Sequence, residues 1–225
     1  MNWSSLANIG DISIGINSVS ICYGTDSLAS SWNLAEILTV DELSSANKLR
    51  NELQRSTWRS CRAALRLILG TYFGIKPAEI QLKTNHFGKL FVSNSNLSFN
   101  VSHTDKSFLL GFNFGGRIGV DLEYLTGKED RPLLVGYAFS WQETDFCNQG
   151  STAENFLRIW TLKEAYLKAT GVGLVDYLKS VNVYGISDSE IEARQLSQET
   201  FTCPGGETAS IVYRNEKLIN YIWLK

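Results

Sequence analysis

The sequence has few of the residues that build a soft-metal centre or a disulfide framework. Among 225 residues there are only two histidines, His86 and His103, and four widely spaced cysteines. No two cysteines have the close spacing of metal ligands, and two histidines exclude a histidine-rich metal centre. Any bound metal is therefore expected to be held by carboxylates, which favours a hard cation such as magnesium. The cysteines are expected to be reduced, mostly buried thiols.

Long apolar runs and an excess of one charge are also missing. No stretch approaches the roughly 20 apolar residues that span a bilayer, and the first residues lack the basic and apolar blocks of a signal peptide. The sequence therefore predicts a cytoplasmic protein with no membrane partner. Its 21 basic and 23 acidic residues give a net charge of −2, which argues against a surface devoted to nucleic acid.

Periodicity and turn residues predict helices packed on antiparallel strands, an α+β fold. Helices are expected at 41–73, with Asp41 as N-cap and Gly74 and Pro77 closing the region, and at 154–169, ended by Gly171. Strands are expected at 19–23, 98–102, 107–114, 118–124, 181–183, 209–213 and 218–223, with a hairpin over 80–92 that turns near 87–89. Each side of the turn at 115–116 contains a helix and several strands, which allows two similar halves, 1–114 and 115–225.

The segment Gly119-Val120-Asp121-Leu122-Glu123 places two carboxylates on one face of a strand, because residues two apart project to the same side. Two converging carboxylates repel each other unless a cation or solvent relieves them. Taken alone, this pattern favours a solvated strand face.

A second pattern lies in the helix at 154–169, where Trp160, Glu164 and Lys168 recur at intervals of four and share one face. A surface pair of Glu164 and Lys168 would explain the charges. It would not explain a large tryptophan on the same face, whereas a helix that lines a cleft explains all three residues.

Two further patterns suggest anion binding. A strand that ends in Ser102-His103 can present a hydroxyl and an imidazole to an anion, although a lone histidine at a strand end is more often structural. Arginines at 55, 59, 62 and 66 fall within a narrow arc of one helix and have no acidic partner at the intervening helical contacts. This arc favours a phosphate site over a solvated face.

Together these segments resemble the ordered motifs of the 4′-phosphopantetheinyl transferases, in particular the Sfp type. The motifs are Phe99-Asn100-Val101-Ser102-His103, then the segment from Gly119 to Glu123, then Trp160-Thr161-Leu162-Lys163-Glu164-Ala165-Tyr166-Leu167-Lys168. The third motif is the most specific. The resemblance implies a pseudo-dimer of two similar α/β halves, each a small antiparallel sheet with packed helices, with coenzyme A in the cleft between them.

The resemblance also implies a role for each matching residue. Asp121, Glu123 and Glu164 become ligands of Mg²⁺. The residues that would bind coenzyme A are Arg55, Arg59, Arg62, Lys89, Ser102, His103, Trp160, Lys163 and Lys168. The family usually has Gly-Lys-Pro before the first motif, whereas this chain has Gly88-Lys89-Leu90, so its backbone is less constrained there.

The reaction that the resemblance implies moves phosphopantetheine from coenzyme A to a serine of an acyl or peptidyl carrier protein, and the enzyme is expected to be a monomer. Lys168 would meet charge on the leaving phosphate. The general base would be Glu164, or else Glu143, which is free of metal and therefore the better base on physical grounds. A metal-dependent phosphohydrolase and a non-catalytic binding module are the alternatives.

Overall fold

The computed structural model describes residues 2–6, 8–125, 131–171, 178–185, 195–214 and 218–225 of the chain. Ten strands and six α-helices lie in these residues. The strands are β1 (Ser4–Leu6), β2 (Ser18–Thr25), β3 (Leu82–Thr84), β4 (Leu90–Val92), β5 (Leu97–His103), β6 (Ser107–Phe114), β7 (Ile118–Glu123), β8 (Leu196–Thr202), β9 (Thr208–Arg214) and β10 (Leu218–Leu224). The helices are α1 (Leu34–Ile37), α2 (Val40–Asn47), α3 (Glu52–Phe73), α4 (Arg131–Ala138), α5 (Trp141–Cys147) and α6 (Thr152–Thr170).

Two sheets form the centre of the fold. The first has five strands in the order β1-β10-β2-β6-β5, and the second has three in the order β7-β9-β8. Side chains such as Val19 and Ile21 of the first sheet pack against Val120 and Ile211 of the second in one hydrophobic cluster. Because α3 covers the other face of the first sheet and α6 that of the second, the order of layers is helix, sheet, sheet, helix. The α+β prediction is confirmed.

The first sheet differs from the antiparallel arrangement that we expected. Its last strand, β10, lies parallel between β1 and β2, with Ile222 paired to both Ser4 and Cys22. The strand at 218–223 was predicted correctly, but it joins the sheet of the first half. The division into the halves 1–114 and 115–225 stays a prediction. If it holds, the last strand of the second half lies in the sheet of the first half.

Glycines end the two long helices, as predicted. Gly74 and Gly171 adopt the left-handed conformation, with φ of 67° and 74°, and their backbone N–H groups bond back into α3 and α6. The expected start of the first helix was wrong. Thr39 caps α2 in a capping box with Glu42, and Asn51 caps α3 separately.

One expected strand, 181–183, does not form. The N–H of Val183 donates to the Glu143 carboxylate, and the carbonyl of Val181 accepts from Lys163. These backbone groups bond to buried side chains instead of to a neighbouring strand. The four cysteines are free and buried, as predicted. Within the described residues, no helix combines the length and apolarity needed to cross a membrane.

Candidate active site

The candidate active site lies where β7 and α6 approach to backbone distance. A Cβ atom on Gly119 would lie only 2.0 Å from the carbonyl oxygen of Ala165 and 2.4 Å from the nitrogen of Ala169. Because glycine has no side chain, strand and helix can pack this closely. Asp121, two residues further along the same face of β7, is thereby brought against α6.

Asp121 is the centre of a polar network that joins the two sheets. Its Oδ1 accepts hydrogen bonds from Lys168 Nζ at 2.6 Å and from Ser102 Oγ at 2.9 Å. Lys168 Nζ also donates to Ser102 Oγ at 3.3 Å. The Asp121 side chain is 4% exposed and that of Lys168 is 27% exposed. Lys168 therefore remains open to a ligand on one side while it neutralises a buried carboxylate on the other.

Glu164 lies one turn before Lys168 on α6 and is buried. Loss of water, the charge of Asp121 and, to a smaller extent, that of Glu123 raise the pKa of Glu164 to about 7, although Lys168 opposes this shift. A carboxyl group with such a pKa exchanges its proton near neutral pH, which suits a general acid or base.

His103 directly follows Ser102 at the end of β5 and faces cations from two helices. Partial removal from water lowers the pKa of His103. A hydrogen bond that the imidazole donates to the backbone of Thr104 and the charge of Asp105 oppose the shift, and the charges of Lys168 and Arg62 lower the pKa further. The imidazole is thus neutral at pH 7, and it lies in a positive potential that attracts anions.

Comparison with known proteins identifies this arrangement. Residues 117–215 match the family model of the 4′-phosphopantetheinyl transferase superfamily. The match runs from just before β7 to just after β9, so it includes Asp121, Glu164 and Lys168. These residues are similar to that superfamily. The match includes the second and third motifs and so confirms the resemblance drawn from them, whereas the first motif, at 99–103, lies outside it.

Individual relatives agree with the superfamily. The 4′-phosphopantetheinyl transferase HetI of Nostoc sp. is 36% identical over 149 residues, which cover 63% of this chain and 63% of that protein. A phosphopantetheinyl transferase of Thraustochytrium sp. is 30% identical over 61% of this chain and 54% of its own length. The 4′-phosphopantetheinyl transferase ffp of Bacillus subtilis is 28% identical over 60% and 61%, respectively. The chain therefore spans less than two thirds of the length of these relatives.

The carboxylates in the part of the chain that matches the superfamily have the chemistry to hold a divalent cation. Within the described structure, Asp121 Oδ2 is buried and has no hydrogen-bond partner, and Glu164 lies in the field of Asp121 and Glu123. Unbalanced negative charge on oxygen ligands suits magnesium. In the same part of the chain, no three carboxylate, imidazole or thiol groups lie close enough together to form a ready-made metal site. Metal binding therefore requires these side chains to converge.

Lys89, expected to contact coenzyme A, has other partners. Its Nζ donates to the carbonyl oxygens of Ile118 at 2.7 Å and Lys168 at 2.6 Å. Removal from water, together with the nearby charges of Arg117 and Lys168, lowers the pKa of Lys89 to about 8. Two of the three donors of this ammonium are thus committed to the backbone, and its contact with coenzyme A stays a prediction.

The arginine face of α3 has an acidic partner on the neighbouring helix α2, which helical spacing within α3 could not reveal. Glu42 of α2 pairs with Arg62 at 3.6 Å and with the buried Arg66 at 2.6 Å. Arg66 also donates to the carbonyl oxygens of Pro77 and Ile80. Arg66 therefore connects α3 to α2 and to the segment after α3. This part of the arginine face has a structural role.

The first two arginines of this face are also engaged. Arg55 pairs with Glu52 at 2.9 Å and donates to the carbonyl oxygen of Leu49. Arg59 donates to Asn47 Oδ1 at 2.7 Å, while its buried Nε has no partner among the described residues. That Arg55, Arg59 and Arg62 bind a phosphate stays a prediction. Of these, Arg59 has a side-chain N–H, at Nε, that is not used within the described residues.

Glu143 and Lys163 form a buried ion pair, which contradicts both of their predicted roles. Their charged atoms lie 2.8 Å apart, and both side chains are completely buried. Glu143 also accepts from the N–H groups of Ser140 and Val183, and Lys163 donates to two carbonyl oxygens. A carboxylate with these partners is not a free base, and this lysine does not line the cleft.

Trp160 is half-buried and stacks on Phe156, with ring centroids 6.0 Å apart. Phe156 stacks in turn on Phe139 at 5.5 Å. The tryptophan on the charged face of α6 is therefore anchored in the hydrophobic cluster under that helix. Its contact with coenzyme A stays a prediction.

The sequence-based assignment missed two residues that shape the site. Asn100 Oδ1 accepts from the buried N–H of Val120 at 2.8 Å and so joins β5 to β7. Asn100 lies within the first motif, and its position there could have indicated a role at the site. Glu42 neutralises Arg62, and its spacing from Thr39, a Thr-x-x-Glu pattern, marks the helix start that we misplaced.

Proposed function

We propose that this protein transfers the 4′-phosphopantetheine group of coenzyme A to a serine of an acyl or peptidyl carrier protein and releases adenosine 3′,5′-bisphosphate. The observation that carries the proposal is the network of Asp121, Ser102 and Lys168 beside the buried Glu164. All of these residues except Ser102 lie in the part of the chain that matches the superfamily. The network residues from β5, β7 and α6 all come from one chain, so we expect a monomer to be active. A cytoplasmic location stays a prediction.

Cations around the cleft support the choice of an anionic substrate. Lys168 keeps part of its ammonium exposed, and His103 and Arg62 are close enough to act on one another electrostatically. We infer that Lys168 and His103 bind the pyrophosphate and that Arg59 and Arg62 bind the 3′-phosphate. Charge-assisted hydrogen bonds of this kind are the strong ones in phosphate recognition.

Asp121, Glu123 and Glu164 would hold the cation that the superfamily uses, for which we propose Mg²⁺. When bound, Mg²⁺ would neutralise charge on the pyrophosphate and align the phosphorus. Asp121 would contribute Oδ2, which has no hydrogen-bond partner among the described residues, because Oδ1 is already bonded to Lys168 and Ser102.

The chemical step needs one proton transfer and one stabilised leaving group. The carrier serine oxygen forms a bond to the pantetheine-side phosphorus while the bond from that phosphorus to the bridging oxygen breaks. We assign the serine proton to Glu164, the buried carboxylate one turn before Lys168 on α6. Lys168 stabilises the charge that accumulates on the departing bisphosphate.

Exposed large apolar side chains are frequent in the segment that follows Glu123, and we propose that this segment receives the carrier protein. They are Tyr124, Leu125, Leu133, Tyr137 and Trp141, which are 42–76% exposed. Large exposed apolar patches beside a site mark partner-binding surfaces. We place the acceptor here because its serine has to reach the adjacent carboxylates.

Mass spectrometry of an apo carrier protein incubated with coenzyme A and Mg²⁺ tests the proposal. We expect the carrier to gain one phosphopantetheine, and we expect no gain when its acceptor serine is replaced by alanine. Lys168→Met should lower the rate by about a hundredfold or more, as for loss of an oxyanion donor. Release of bisphosphate without modification of the carrier would instead show a hydrolase. Binding of coenzyme A without either product would show a binding module.

A further inference from the structure

Lys89 stands at the end of a tightly constrained turn between β3 and β4. Asn85 Oδ1 accepts from the N–H groups of Phe87 at 3.0 Å and Lys89 at 2.9 Å. The N–H of Asn85 donates to the carbonyl oxygen of Lys89, and Gly88 takes the left-handed φ of 81° that the turn requires. The turn therefore fixes the backbone from which the Lys89 side chain starts.

The ammonium of Lys89 connects three separate elements. It reaches from the hairpin to the carbonyl oxygen of Ile118, the first residue of β7, and to that of Lys168, in the last turn of α6. Carbonyls in the last turn of a helix have no partner within the helix, and β7 is an edge strand of its sheet. Lys89 thus satisfies two backbone acceptors that the regular structure leaves open.

These two carbonyls belong to the elements that carry the central ion pair. Lys168 accepts from Lys89 through its backbone and donates to Asp121 through its side chain, while Asp121 lies three residues after Ile118 on β7. The same two elements are therefore joined twice, once at the backbone and once at the side chains.

The position of Lys89 would be unfavourable without these contacts. Removal from water and the charges of Arg117 and Lys168 all lower its pKa. Two short, charge-assisted hydrogen bonds offset that cost. Turning the ammonium toward a phosphate would leave both carbonyl oxygens without this donor.

We propose that Lys89 is a positioning residue, whose ammonium clamps the end of α6 to the start of β7, so sets Lys168 against Asp121, and does not bind a phosphate of coenzyme A. The inference rests on the proposed function for its kinetic consequence. Its structural content, the clamp, is independent of that function.

The test compares Lys89→Met with Lys83→Met, which alters an exposed lysine of the same hairpin. Amide hydrogen exchange is measured on peptides from the end of α6 and the start of β7, with peptides from β2 and β6 as a global reference. Steady-state carrier loading gives kcat and the KM for coenzyme A. For Lys89→Met we expect about tenfold faster exchange at the two clamped ends only. We also expect a kcat about tenfold lower, since small displacements of catalytic groups are costly, and a KM within about twofold of wild type. Lys83→Met should match the wild type in every measurement.

A raised KM with normal kcat and normal exchange would overturn the proposal and restore Lys89 as a ligand contact. Unchanged kinetics and exchange would show that the two hydrogen bonds do not matter, which also overturns it. If the wild-type protein modifies no carrier, the proposed function fails, and the exchange comparison alone decides whether the clamp exists.

Discussion

Replacing Glu143 by glutamine separates a structural role from a catalytic one. The wild-type carboxylate is completely buried, 2.8 Å from Lys163, and accepts from the backbone N–H groups of Ser140 and Val183. Glutamine has nearly the same shape but no charge, so Lys163 would keep a buried positive charge without a counter-ion. We expect the fold to suffer, and the chemical step to be unaffected in molecules that remain folded.

The magnitude follows from the burial of the pair. Removing one partner of a buried ion pair costs about 3–5 kcal/mol. In a protein of this size 1 kcal/mol shifts the Tm by roughly 2–4 °C, so Glu143→Gln should unfold roughly 6–20 °C below the wild type. Replacing Glu143 and Lys163 together by methionine should recover part of the loss, because no buried charge is then left unpaired.

The loss should depend on pH in a predictable direction. Burial lowers the pKa of Lys163, and Glu143 opposes that shift, so the variant lysine has a still lower pKa when folded. A lysine whose folded pKa is depressed binds fewer protons in the folded than in the unfolded state. Stability therefore rises with pH between the folded pKa and the unfolded value near 10.4. Below this pH range, Glu143→Gln should show its full loss of unfolding free energy relative to the wild type. The loss should become smaller as the pH rises through the range.

Thermal unfolding at several pH values, combined with carrier loading at a temperature where all variants are folded, measures both effects. Glu154→Gln, at an exposed position of α6, is the control and should change stability by no more than about 0.5 kcal/mol. A Glu143→Gln variant that unfolds with the wild type but loads carrier about a hundredfold more slowly would refute our reasoning, because general-base catalysis has that magnitude.

Three further predictions concern the cleft. Gly119→Ala should lower kcat by about a hundredfold, because the added Cβ forces β7 and α6 apart. Gly136→Ala is the control and should be neutral or stabilising, since a Cβ there meets nothing within 4 Å. A normal kcat for Gly119→Ala would mean that the close packing is dispensable. Replacing Arg59 and Arg62 together by glutamine should weaken coenzyme A more than dephospho-coenzyme A in binding titrations, and equal losses would exclude a 3′-phosphate site. Because the pKa of His103 is lowered, its imidazole becomes positively charged only below about pH 6.5. The affinity for coenzyme A should therefore increase as the pH falls below that value, and His103→Gln should abolish the increase. An identical pH profile in that variant would assign the increase to another group.

The long helices and the motif positions were predictable because their signals are local. Gly74 and Gly171 mark helix ends through a backbone conformation that other residues rarely adopt, and helical spacing placed Glu164 and Lys168 on one face. The partner of Lys168 was not predictable in the same way. Its contact with Asp121 spans 47 positions and follows from the close packing at Gly119, which no periodicity reveals.

Burial explains why other assignments failed. Glu143 and Lys163 look like ordinary surface charges in the sequence, although the Ser-x-x-Glu spacing from Ser140 was a readable sign of a capping box. Lys89 was assigned from a family motif, but its donors are used within the protein. Sequence patterns indicate which residue types are available for chemistry, whereas the tertiary structure decides which of them keep free donors and acceptors.

The parallel insertion of β10 between β1 and β2 affects how the chain acquires its structure. About 200 positions separate β10 from β2, and pairings between such distant segments form slowly because a large loop has to close first. During synthesis, β2 leaves the ribosome long before its partner and meanwhile presents an unpaired edge. A fragment cut between Phe114 and Gly115 would keep that edge permanently, so we expect it to aggregate unless a peptide with the sequence of β10 is supplied.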